Sequence, residues 1–103
     1  MMNEWNRMEL ATFLDENESG LLYFYTPLCG TCQVASRMLL IVEELVNCKM
    51  GKMNLNFYPD VAKNFAIESV PCLVIVQQGS VKETLYAFHS VPFLLEKIKY
   101  YLS

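Results

Sequence analysis

The stretch SGLLYFYTPLCGTCQVAS, from Ser19 to Ser36, carries no charged residue. Pro27, Gly30, Thr31, Gln33 and two cysteines break it up too much for a membrane span. It reads as two elements meeting at a turn. GLLYFYT, from Gly20 to Thr26, is a short apolar, aromatic-rich run after a turn, the pattern of a buried central strand. From Gly30 to about Asn47 two interleaved apolar series follow, Val34, Met38, Ile41, Leu45 and Ala35, Leu39, Val42, Val46. Arg37, Glu43 and Glu44 take the other face, so this segment is an amphipathic helix. A strand feeding straight into a long helix restricts the chain strongly, because a following parallel strand returns by a right-handed crossover.

The flanking sequence supplies the remaining elements. Residues from Glu4 to Glu16 place Trp5, Met8, Leu10 or Ala11, and Leu14 at helical spacing and predict a first helix that ends before ENESG. KMGKMNLNF reads as a strand with Lys52 and Asn54 near its end. Pro59 opens a short helix, where proline is tolerated in the first turn. PCLVIVQQGSVKETLYAF is a hairpin turning at Gly79, and the tail from Ser90 to Leu102 is a last helix. The expected fold is α/β, one domain over residues 1–103. It has a mixed four-stranded sheet (a parallel pair plus an antiparallel hairpin) with helices on both faces.

Composition excludes several classes of function. Hydrophobic residues make up 53% of the chain and charged ones 18%, which is a core-forming composition and not a disordered one. The net charge of -3, with Lys and Arg scattered, leaves no footprint for nucleic acid. The charged start MMNEWNRMEL lacks the apolar region of a secretory signal. Neither nucleic acid nor membrane is expected as a partner, and a monomer in the cytoplasm is the expected state. Cysteines at 29, 32, 48 and 72 are too few and too unevenly placed for a disulfide-stapled mini-domain. In a reducing compartment a close pair is more often catalytic or metal-binding than structural.

Cys29 and Cys32 can be read as a working dithiol, as half of a metal site, or as two small apolar residues. Cys29 falls at the lip of the long helix, where unpaired N–H groups and the positive end of the helix dipole favour thiolate over thiol. Such settings lower a cysteine pKa from about 8.5 to about 7 or below. Cys32, one turn on and facing inward, is placed to resolve a mixed disulfide on Cys29, and Gly30 leaves the approach open. A zinc site would need Cys48 and Cys72 to converge on the pair. Cys48 belongs at the far end of the helix, roughly 24 Å of rise away, so no metal is expected. Cys72 reads as a packed strand residue, with a third redox thiol or an adventitious metal ligand as the sharper alternatives. His89 reads as solvent-facing, and Tyr23, Phe24 and Tyr25 as sheet core.

CGTC after a strand and before a long helix, KMN at Lys52–Asn54, VPC at Val70–Cys72 opening a hairpin, and Gly79 stand together in one order. In these the chain resembles the thioredoxin family over nearly its whole length. The resemblance implies a thioredoxin-like fold and reduction of protein disulfides through a reversible Cys29–Cys32 disulfide, with no bound cofactor. It further implies disulfide-containing protein substrates and recharging by a reductase of the thioredoxin reductase type. Pro71 would be cis and pack against the dithiol, with the Val70 backbone exposed to pair with substrate. Gly30, Thr31, Tyr25 and Leu28 would complete the motif and the groove, and Tyr23, Lys52 and Cys72 would support them from behind.

Several positions depart from the family pattern. Leu28 and Tyr25 stand where tryptophan is usual, Thr31 where proline is, and Ala87 where a groove glycine is. Tyr23 occupies the place of the buried aspartate that helps deprotonate the second cysteine, so Lys52 loses its usual partner. Water or the Tyr23 hydroxyl is then expected to take that role. The family's first strand is expected to be missing. Two alternative functions remain: glutaredoxin-like reduction of low-molecular-weight thiol adducts, and a non-catalytic binding or redox-sensing module working through Val70 and Pro71.

Overall fold

The computed structural model describes residues 2–103. In chain order the elements are β1 (Asn3–Glu4), α1 (Arg7–Asp15), β2 (Gly20–Tyr25), α2 (Gly30–Leu45), β3 (Lys49–Asn54), α3 (Pro59–Asn64), β4 (Cys72–Gln77), β5 (Ser80–Leu85) and α4 (Val91–Leu102). They form a five-stranded sheet in the order β1-β3-β2-β4-β5. β3 lies parallel to both β1 and β2, while β4 is antiparallel to β2 and to β5.

The sheet therefore has five strands where the sequence predicts four, and the first strand is present. β1 pairs Asn3 with Gly51 and Glu4 with Lys52, and the Trp5 N–H donates to the Lys52 carbonyl at 2.8 Å. Two polar residues carry no alternation, so periodicity cannot mark such a strand. The first helix correspondingly begins at Arg7 and not at Glu4. Asn6 caps it reciprocally: the Glu9 N–H donates to Asn6 Oδ1 at 2.9 Å and the Asn6 N–H donates to Glu9 Oε1 at 3.0 Å. This capping box spares two of the helix's unpaired donors.

Alternation along the strands sends side chains to two cores. Leu21, Tyr23, Leu73, Ile75 and Leu85 pack with Ala35, Leu39 and Val42 of α2 and with Leu94 and Ile98 of α4. On the opposite face Leu22, Phe24, Val74 and Val76 pack with Trp5, Leu10, Phe13 and Val61. Of the two apolar series on α2, only the second meets the sheet; Val34, Ile41 and Leu45 are exposed and Met38 is half-buried. One helix can lay only one stripe on a sheet, and the neighbouring row is left at its edge.

Ala66 closes α3 in the left-handed region, with φ +53°, and is exposed. A Cβ costs about 1–2 kcal/mol there, and glycine gives back about 0.5–1 kcal/mol of that through its freer unfolded chain. Ala66→Gly is expected to stabilise the fold by about 0.5–1 kcal/mol in urea titration; an unchanged or lower midpoint would contradict this account of the turn.

Candidate active site

Leu55 N–H donates to the Tyr25 carbonyl at 3.0 Å, so β2 and β3 end side by side and their loops emerge at one edge of the sheet. From there the chain turns through Pro27 and Leu28 into α2, and Cys29 is the residue that caps that helix. Its φ and ψ of -95° and 112° are extended, and its Sγ accepts the Cys32 N–H at 3.1 Å. A sulfur thus takes the place of the oxygen that serine or aspartate offers at such a position. Thr31 Oγ1 lies 3.3 Å from the same sulfur, and the thiol points to the Val70 carbonyl at 3.9 Å. Cys29 and Cys32 are both free thiols.

The two thiols are held in different electrical states. Hydrogen bonding from the Cys32 side chain, then from Thr31, lowers the Cys29 pKa against a smaller opposing effect of burial. Cys32 is 2% exposed, and burial, aided by its hydrogen bond to Cys29, pushes its thiol up to about 11. The outer thiol is therefore the more acidic of the two, and the inner one holds its proton the more tightly. Alkylation of Cys29 is expected to reach half its maximal rate at a lower pH than free cysteine, since the thiolate is the reacting form. Cys32→Ala removes the strongest donor and should move that midpoint upward, as would be read from iodoacetamide rates against pH. A midpoint that stays in place would mean that Cys32 does not prime Cys29.

The Val70–Pro71 peptide is cis. Pro71, Thr31, Val34, Met38, Ala87 and His89 line an open cleft of about 400 Å³ beside the dithiol. Leu28, next to Cys29, is 99% exposed, and Gly30 has open space around its Cα. His89 is exposed, adopts φ +54° and sets its ring edge-on to Phe93 at 4.6 Å. The sequence-named residues Cys29, Cys32, Gly30, Thr31, Leu28, Val70 and Pro71 thus gather at one end of the sheet.

The other two cysteines lie elsewhere, and Tyr25 lies outside the Pro71 cleft. Cys72 pairs with Phe24 and belongs to the core on the face away from α2, where burial pushes its thiol up to about 12. There it packs as a buried strand residue with Phe24, Val74 and Val76. Cys48, beyond the end of α2, is half-buried, and burial raises its pKa too. Tyr25 does not face the Pro71 cleft; it stacks on Tyr23 at 5.7 Å and its hydroxyl donates to Glu4.

Behind the pair, the Tyr23 hydroxyl donates to the Cys32 carbonyl at 2.9 Å and lies 3.0 Å from Ser36 Oγ. Burial, the largest influence, pushes this phenol up to about 12. At that value Tyr23 is a donor that ties β2 to the first turn of α2, not a base. Lys52 Nζ sits 5.7 Å from the centre of the Tyr25 ring, so the lysine has an aromatic neighbour where the family has a carboxylate. Glu4 was not among the sequence candidates; it reaches this group only because β1 sets it beside Lys52. Among the described residues no cluster of three or more His, Cys, Asp or Glu is arranged to hold a metal ion.

A dithiol whose outer sulfur caps a helix and whose inner sulfur lies protonated beneath it, on a mixed sheet with helices on both faces, defines a thiol–disulfide oxidoreductase. The chain belongs to the thioredoxin family, whose model, Thioredoxin, matches residues 3–99. It is 48% identical over 85 residues to the thioredoxin-like protein YusE of Bacillus subtilis, covering 82% of this chain and 80% of that one. It is 30% identical over 96 residues to a thioredoxin of Listeria monocytogenes, covering 89% and 93% of the two chains. In fold it resembles a point-mutant thioredoxin from Halobacterium salinarum, with a TM-score of 0.88 at 22% identity over 99% of this chain and 90% of that one. The oxidised thioredoxin of Plasmodium falciparum superposes with a TM-score of 0.84 at 18% identity, over the full length of both chains.

Proposed function

We propose that the chain reduces disulfides in protein substrates by a two-step exchange with fixed roles. Cys29 thiolate attacks one sulfur of the substrate disulfide, forming a Cys29–substrate mixed disulfide and releasing the other substrate sulfur as thiolate. Cys32, once deprotonated, attacks Cys29 Sγ, closes the Cys29–Cys32 disulfide and releases the second substrate thiolate. Two electrons pass from the dithiol to the substrate, and a separate reductase of the thioredoxin reductase type returns them.

The observation that carries this reading is the opposite perturbation of two thiols one helical turn apart, one half-buried at the helix cap and the other buried beneath it. Protein substrates, and not small thiol adducts, are favoured by the apolar surface around Cys29. Leu28 projects fully into solvent, and the cleft from Val34 to Pro71 offers length along which an extended chain can lie, with the Val70 backbone at its side. We assign no bound cofactor, a monomer, and a reducing location such as the cytoplasm, in which Cys48 and Cys72 stay as thiols; no helix among the described residues is long and apolar enough to cross a membrane.

Insulin reduction, driven by a thioredoxin reductase and its nicotinamide donor, tests the reading. Sustained turnover is expected, with little when glutathione alone supplies electrons. Turnover with glutathione but not with the reductase would favour the glutaredoxin-like reading, and none with either would leave a binding module.

A further inference from the structure

The inner thiol must lose a proton before it can resolve the mixed disulfide, and its burial, the first cause of its raised pKa, opposes that loss unless an acceptor is at hand. Tyr23, its nearest phenol, is a donor. Three observations identify another route. First, a cavity of about 350 Å³ opens on the flank of the first turns of α2 and is lined by Cys32, Tyr25, Thr26, Gln33, Ser36 and Arg37. It reaches the otherwise buried Cys32 and has room for several waters at about 30 Å³ each. Second, Tyr25, which lines this cavity, donates its hydroxyl to a Glu4 carboxylate oxygen. Third, β1 places Glu4 beside Lys52 and β2 places Tyr23 on the other side of Lys52, so a carboxylate from the edge strand stands in the row behind the dithiol.

We propose that Glu4, acting through Tyr25, is the proton acceptor for the resolving cysteine, in place of a buried carboxylate on β2. The proposal rests on the exchange mechanism given above and concerns only its second step. Cys32 Sγ–H gives its proton to a water in the cavity, that water passes one to Tyr25 Oη, and the Tyr25 hydroxyl proton moves to Glu4. Cys32 is left as thiolate, the water and the neutral phenol are restored, and Glu4 becomes a carboxylic acid that returns its proton to solvent, to which it is exposed. Burial and the bond to Glu4 raise the Tyr25 pKa, so the phenol relays a proton without ever standing as phenolate.

Other charged or titratable groups around the relay come from every neighbouring element. Lys52 on β3 lies over the Tyr25 ring, Tyr23 on β2 stacks against it, Arg37 on α2 borders the cavity, and Cys29 lies above Cys32. None of these is a carboxylate. Glu4 is the carboxylate that the Tyr25 hydroxyl touches directly.

The test uses 5,5′-dithiobis(2-nitrobenzoate) in stopped flow on a Cys48→Ser background. The first release of nitrothiobenzoate reports attack by Cys29, and the second reports resolution by Cys32. At pH 7 the second release is expected to slow about tenfold in Glu4→Gln and by a similar factor in Tyr25→Phe, with the double variant no slower than the slower single one. At pH 9.5, where hydroxide serves as acceptor, all should converge on the parent rate. A second release in Glu4→Gln that equals the parent at pH 7, or that is slowed by the same factor at every pH, overturns the relay. A first release no faster than that of free cysteine would instead contradict the exchange mechanism itself.

Discussion

Cys29→Ser is expected to abolish disulfide reduction, lowering insulin turnover by at least about 10³-fold, while Cys32→Ser leaves the first exchange intact and stops at the mixed disulfide. The asymmetry follows from burial. Cys29 is half-buried, points to the Val70 carbonyl beside Pro71 and has its thiol lowered by hydrogen bonds, so it is the sulfur of the pair that a substrate disulfide can reach. A serine there keeps the helix cap, which accepts the same N–H, but loses the soft anionic nucleophile. Cys32 is 2% exposed and cannot reach a folded partner, so its replacement by serine, which keeps a donor toward Cys29, removes the intramolecular step. Non-reducing gels of Cys32→Ser incubated with oxidised insulin should show a covalent complex that dithiothreitol dissolves. Equal trapping by Cys29→Ser would reverse the assigned roles.

The second large effect is on stability. Gly51 lies in the middle of β3 with the Trp5 ring laid across it, and a Cβ built there would come 2.1 Å from a ring carbon. Trp5 is 6% exposed and packs on Phe13 at 5.1 Å, so the ring can make way only by giving up that packing. Gly51→Ala is expected to cost about 3 kcal/mol, the upper range for overpacking, and to lower the thermal midpoint by about 10–20 °C. Because β1 reaches the sheet through the residues facing Gly51 and Lys52, its pairing should be lost together with the Trp5 environment. Calorimetry with fluorescence of this single tryptophan checks both, and an unshifted midpoint with native emission would contradict the packing. On the relay proposed above, the same variant should also slow resolution, since it displaces Glu4.

What could be read from the sequence was local. The run from Gly20 to Leu45 shows its strand, turn and helix through hydrophobic spacing alone, and the CxxC spacing places one sulfur at the helix cap and the next one turn inward. Features that depend on which surfaces meet were less legible. Val34 and Ala35 begin two equally good apolar series, and only the position of the sheet decides that Ala35 is buried and Val34 exposed. Cys72 adjoins Pro71 in sequence, but alternation in β4 turns it to the opposite face. β1 is too short for any pattern, yet Gly51 inside a strand was a usable sign that something approaches the backbone closely there. Without β1, Glu4 looked like part of a helix and its meeting with Tyr25 could not be foreseen. The replacement at Tyr23 was visible only through the family resemblance, and its physical meaning, a donor in place of an acceptor, needed the bonds to Cys32 and Ser36.

The central claim is that two neighbouring sulfurs form one reversible couple from which Cys48 and Cys72 are excluded. Equilibrating the protein in mixtures of reduced and oxidised dithiothreitol, quenching with acid, alkylating and mapping peptides by mass measures this directly. A single two-electron transition is predicted, in which Cys29 and Cys32 lose their label together while Cys48 and Cys72 remain thiols across the whole range. Oxidation of Cys29 to a partner other than Cys32, or no reversible transition at all, would contradict it.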